Sequence, residues 1–116
     1  MRRKQFVEFL STRYQGRAGR SLTAKGASDA ASRLKRLESI LDFDFDEFVV
    51  ERSTQTREEL LAVIDARIRE LATINIPKEA LIAGRRVVPK YIGFIRWEAQ
   101  RSQALEWARN SDSSGE

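Results

Sequence analysis

The chain contains neither cysteine nor histidine, and these two absences remove much familiar chemistry at once. They exclude a disulfide framework, the usual zinc ligand sets, a cysteine nucleophile and a Ser-His-Asp triad. Any catalysis would fall to carboxylates, Lys, Arg or Tyr, and no acid–base, nucleophile or metal constellation emerges from their spacing. The chain therefore reads as non-enzymatic and without a cofactor. Long apolar runs are missing too: nothing approaches the roughly 18 residues of a membrane span, and the opening MRRKQFVEF sets Glu8 where a signal peptide needs an unbroken apolar stretch. A soluble, cytoplasmic protein with no membrane partner is expected.

What is present is charge, unevenly placed. Residues 1 to 36 hold 10 Lys/Arg against 2 Asp/Glu, residues 37 to 79 hold 5 against 11, and residues 80 to 116 hold 6 against 4, for a net charge of +4. A polyanion would be drawn to the first and last segments and repelled by the middle. The plainer reading is that 33% charged residues keep a helical domain in solution. At 116 residues the chain is one domain, large enough to remove roughly two-thirds of its unfolded surface from water.

The three–four spacing of apolar residues predicts an all-α bundle of four to five helices in residues 1–109, followed by a disordered tail, 110–116. A first helix runs from Arg2 to Gln15 with Phe6, Val7, Leu10 and Tyr14 on one side. QGRAGR then breaks the pattern and exposes Arg17 and Arg20, either as phosphate grips or as ordinary loop polarity. Thr23 caps a long second helix whose stripe is Ala27, Ala30, Ala31, Leu34, Leu37, Ile40 and Leu41, with a basic outer face. Gly26 in its first turn suggests a close approach, by a neighbouring helix or by a phosphate assisted by Lys25.

In DFDFDEFVV, Asp42, Asp44 and Asp46 occupy the first, third and fifth positions of a calcium loop, but Glu47 stands where glycine is needed and Ser53 where a bidentate Glu is needed. No metal site is expected, and the acids more simply start a short helix or turn. Thr56 and Glu59 form a capping box for a helix from Arg57 to Ala72, with Leu60, Leu61, Ile64, Ile68 and Leu71 inside and Asp65 in water. Pro77 opens a short helix that Gly84 breaks; Pro89 opens another, or kinks a continuous one, ending near Arg109. Ile92, Ile95 and Ala99 face inward, and the late residues Leu105 and Trp107 cover the first helix or meet a partner. GRRVVPK sets Arg85, Arg86 and Lys90 about the entrance to that last helix, where backbone amides would add a positive end to three cations.

In this order, SLTAKGASDAASRLKRLESIL, DFDFDEF, TREELLAVIDARIREL and VVPKYIGFIRW together resemble the N-terminal core-binding domain of tyrosine recombinases and phage integrases, a SAM-like helical bundle, over roughly residues 5 to 97. The resemblance implies a domain that clamps one face of duplex DNA with the start of the long helix, at Lys25 and Arg33, and with the region before the last one, at Arg85, Arg86 and Lys90. Gly26 and Ala30 stand where that family more often has Thr and an aromatic. The family's catalytic domain has no counterpart here, and Tyr91 is expected to pack in the core. The function expected is therefore a non-catalytic DNA-binding module of, or accessory to, a recombination system, as monomer or weak homodimer. The alternative is a protein-interaction module or phage or mobile-element regulator that docks on a nucleic-acid-handling complex.

Overall fold

The long second helix forms where its apolar period places it. In the structure, a computed structural model that describes residues 1–14, 21–71 and 77–114, this element is α2, Ala24–Leu41. Thr23 caps it from an extended backbone, its Oγ1 accepting the Gly26 N–H at 3.1 Å. Ala27, Ala30, Ala31, Leu34, Leu37 and Leu41 are all buried along one side. The helix stops at Asp42, whose φ of 54° is the only left-handed non-glycine backbone among the described residues; aspartate tolerates that conformation better than most side chains. A Cβ on Gly26 would meet only Thr23 and Leu22, its own capping turn, so no neighbouring helix accounts for that glycine.

Four further helices occur among the described residues: α1 Arg3–Thr12, α3 Phe45–Glu51, α4 Arg57–Leu71 and α5 Lys78–Ser114. The protein is an all-α bundle, as the spacing predicts, and no strand occurs among the described residues. α1 runs antiparallel to α2. The Met1 amine meets Glu38 at one end (3.2 Å), and Leu22 N–H donates to the Leu10 carbonyl at the other (3.0 Å). α3 starts at Asp44, whose carboxylate accepts from the N–H groups of Asp46 and Glu47. α4 starts at Thr56, whose Oγ1 accepts the Glu59 N–H at 3.1 Å. Of its expected stripe, Leu60 and Ile64 are fully buried, while Leu61, Ile68 and Leu71 lie half-buried at the rim.

The largest departure from the sequence reading is α5. It is one helix of 37 residues with Pro89 inside it, not two helices divided at Gly84. Gly84 serves packing here: a Cβ at this position would lie 2.5 Å from Leu37 Cβ and 3.0 Å from the Arg33 carbonyl oxygen. Its absence lets the α5 backbone rest directly on α2. Pro89 costs the helix one main-chain hydrogen bond, to the Arg85 carbonyl. α5 touches all four other helices and lies most extensively against α2. Its Tyr91 and Phe94 join Phe6 of α1 in an aromatic core, with ring centres 4.8 Å (Phe6–Tyr91) and 5.6 Å (Phe6–Phe94) apart. Phe45 and Phe48 of α3 are buried beside them.

Past Glu98 the helix leaves the bundle. Ala99, expected inside, is exposed, and so is every residue from 101 to 108. Leu105 and Trp107 are 58% and 73% exposed and do not cover α1. The helix continues through residues 110–114, where a tail was expected, because no glycine or proline lies between Gly93 and Gly115 to stop it. The overall dimensions are 64 × 30 × 22 Å. Among the described residues no helix is long and apolar enough to cross a membrane.

Candidate functional site

Turning 100° per residue, α2 carries Lys25, Ser28, Ser32, Lys35, Arg36 and Ser39 on the side opposite its buried Leu34. All are exposed except Ser28, which is half-buried. Arg3 of α1 reaches onto the same strip: its Nη2 donates to Ser28 Oγ at 3.3 Å and to Ser32 Oγ at 3.0 Å. From Lys25 to Arg36 the strip is about 16 Å long. Arg33 sits on its flank, next to Asp29.

The cations of this strip make no ion pair, although Asp29 stands on the same face, about 140° round from Leu34 and one turn from both Lys25 and Arg33. Among the described residues, none of Lys25, Arg33, Lys35 and Arg36 takes part in an ion pair, whereas Arg2, Arg52, Arg57, Arg67 and Arg85 all do. The other acid of α2, Glu38, is turned to the core, where it accepts from the Met1 amine and, at 3.1 Å, from the Phe45 N–H. Its charge is thus spent under the helix, and of the two acids of α2 only Asp29 offsets the strip.

The second expected cluster does not assemble. Arg85 holds Asp65 of α4 through two hydrogen bonds, Nε to Oδ1 at 2.6 Å and Nη2 to Oδ2 at 3.1 Å, a fork geometry that occupies the guanidinium. Asp65, expected in water, is brought there because α4 packs along α5. Lys90 is half-buried, its Nζ 5.7 Å from the centre of the Tyr14 ring. Arg86 alone of the three is exposed and without an acid partner among the described residues. Residues 85–90 also lie in the middle of a helix that starts at Lys78, so their amides form no free positive end. Contact between Gly84 and the Arg33 backbone brings Arg33 alongside this segment, while Lys25 is about 12 Å further along α2. Arg17 and Arg20 fall outside the described residues. The continuous patch is the outer face of α2 with Arg3; Lys35, Arg36 and Arg3 were not singled out in the sequence, although the polar complement of the α2 stripe contains the first two.

No family model, curated protein or solved structure matches this chain. Its chemistry is read from its own groups.

The acidic turn divides its carboxylates among separate tasks. Asp42 ends α2, Asp44 caps α3, and Asp46 accepts from the Tyr91 hydroxyl while lying 3.4 Å from Arg2 Nε. Among the described residues no group of three or more His, Cys, Asp or Glu is placed to hold a metal ion. Exposed Glu47 binds its proton more tightly than a free glutamate, first through a hydrogen bond with Glu51 and then through the charges of Glu51 and Asp44. Tyr91 is 1% exposed. Burial, and next its hydrogen bond to Asp46, push its pKa well above the ordinary tyrosine value. It stays a neutral donor, and its oxygen accepts the Arg2 N–H at 2.9 Å. Tyr91 therefore packs, as expected, and also joins α1, α3 and α5.

Proposed function

We propose that this chain is a helical DNA-binding module that holds the phosphate backbone of duplex DNA on the outer face of α2. In this reading it performs no chemistry itself and belongs to, or serves, a DNA-processing system. The observation that carries it is the strip of unpaired cations Lys25, Lys35 and Arg36, interleaved with serine hydroxyls and joined by Arg3. Arginine, lysine and serine at an exposed helix face suit phosphate oxygens, and such contacts position a duplex more than they read its bases. The residue pattern shared with recombinase core-binding domains supports the same helix. Arg33 and Arg86 flank the patch; Arg85 does not contribute to it.

Fluorescence anisotropy with a duplex of about 20 base pairs tests this. With about four phosphates neutralised, affinity falls about a hundredfold between 50 and 200 mM salt. The K35E/R36E variant weakens binding by about tenfold or more, since two contacts become repulsions, and Arg85→Ala leaves it unchanged. Absence of binding at the lower salt ends the proposal. Exposed Leu105 and Trp107 favour a second reading, a protein-docking module; a specific protein that co-purifies from nuclease-treated extract and is lost on Trp107→Ala supports it.

A further inference from the structure

α1 has a second polar flank, on the side away from α2. There a cleft of about 200 Å³ opens between α1 and α5, with Phe9, Arg13, Trp97 and Arg101 among its walls. Phe9 fixes its floor: its ring centre lies 5.3 Å from that of Trp97 and 5.4 Å from that of Phe94. Two guanidinium groups rest near the same indole, Arg13 at 6.0 Å and Arg101 at 5.6 Å from the ring centre. Neither takes part in an ion pair among the described residues, and Glu98 at the rim is already engaged by Arg2. Each guanidinium is therefore open to an anion in the cleft, beside the Glu8 carboxylate that shares its lining.

The remaining walls narrow the class of anion. Gln5, Thr12 and Glu8 line the α1 side and offer an amide, a hydroxyl and a carboxylate, donors and acceptors suited to the edge of a nucleobase. The aromatic surface of Trp97 and Phe9 suits its face. The volume falls below the roughly 300–1,000 Å³ of sites that enclose drug-sized molecules, so it admits one ring system and not a dinucleotide cofactor. Bases within a duplex are stacked and cannot enter. We propose that the cleft between α1 and α5 receives an unpaired nucleotide of a nucleic-acid strand, its base against Trp97 and Phe9 and its phosphate held by Arg13 and Arg101. This rests on the nucleic-acid reading of α2 and adds a site for strand ends or unpaired bases to one for duplex backbone.

The chain has two tryptophans, so Trp107→Phe leaves Trp97 as the sole reporter. In that background, a 5′-phosphorylated thymidine trinucleotide quenches the emission of Trp97 saturably, while a blunt duplex binds by anisotropy without quenching it. Replacing Arg13 and Arg101 by Ala weakens the trinucleotide about tenfold or more and leaves duplex affinity within about twofold. Unchanged emission up to millimolar trinucleotide overturns the cleft, as does an arginine double variant that weakens both ligands alike. Quenching that persists when K35E/R36E abolishes or spares duplex binding upholds the cleft, whichever way the α2 reading falls.

Discussion

The Tyr91 hydroxyl donates to Asp46 and accepts from the Arg2 N–H, so one oxygen settles polar groups from two other parts of the chain. Tyr91→Phe keeps the ring and strands both partners in partly buried surroundings. A loss of about 1–3 kcal/mol in urea unfolding is expected. The pH dependence follows in sign. Because the folded state raises the tyrosine's pKa, it holds the proton that the unfolded chain releases near pH 10. Stability linked to this group is complete below that value and declines as pH rises through it, so the gap between the Phe variant and the parent narrows in melts above about pH 10. Arg85 and Asp65 form a partly exposed pair, and Arg85→Ala costs about 1 kcal/mol or less, read in the same assay.

At the scale of the element, α5 depends on glycine at one position. Gly84→Ala places a methyl 2.5 Å from Leu37 Cβ and 3.0 Å from a backbone oxygen, and neither can retreat as a flexible side-chain end would. The cost expected is about 1–3 kcal/mol in urea unfolding, despite the better intrinsic helix propensity of alanine. Shortening Leu37 to Ala brings no relief, since its Cβ remains. This is also where reading from sequence failed for a physical reason. A glycine before a valine pair and a proline has the look of a helix end, and local signals alone cannot separate a break from a crossing point. α2 was legible because its period and cap are local: Thr23, Ala27, Leu34 and Leu37 declare their roles within a few residues. The same locality explains why Lys25 was placed correctly as an exposed cation, while the engagement of Arg85 by Asp65, twenty residues earlier, was invisible.

At the scale of the molecule, the charge segregation read from composition survives folding in altered form. Cations near the acidic middle are largely consumed by it, and those of α2 are not. The far part of α5 is exposed throughout residues 103–108, and a short helical segment without tertiary packing is marginal in water. In hydrogen exchange, amides beyond about residue 103 are expected to exchange within seconds, while those of Tyr91 to Ile95 are protected by the full unfolding free energy. Equal protection along α5 would mean that its outer part is covered in solution.

One consequence concerns the order of assembly. Every other helix rests on α5, yet α5 is made after all of them. While the ribosome is still adding Lys78 to Ile95, the apolar faces of α1 to α4 have each other but lack the surface that completes their core. The nascent chain therefore holds part of its hydrophobic surface wet until this stretch clears the exit tunnel, and only then can Tyr91 and Phe94 close the aromatic core over Phe6.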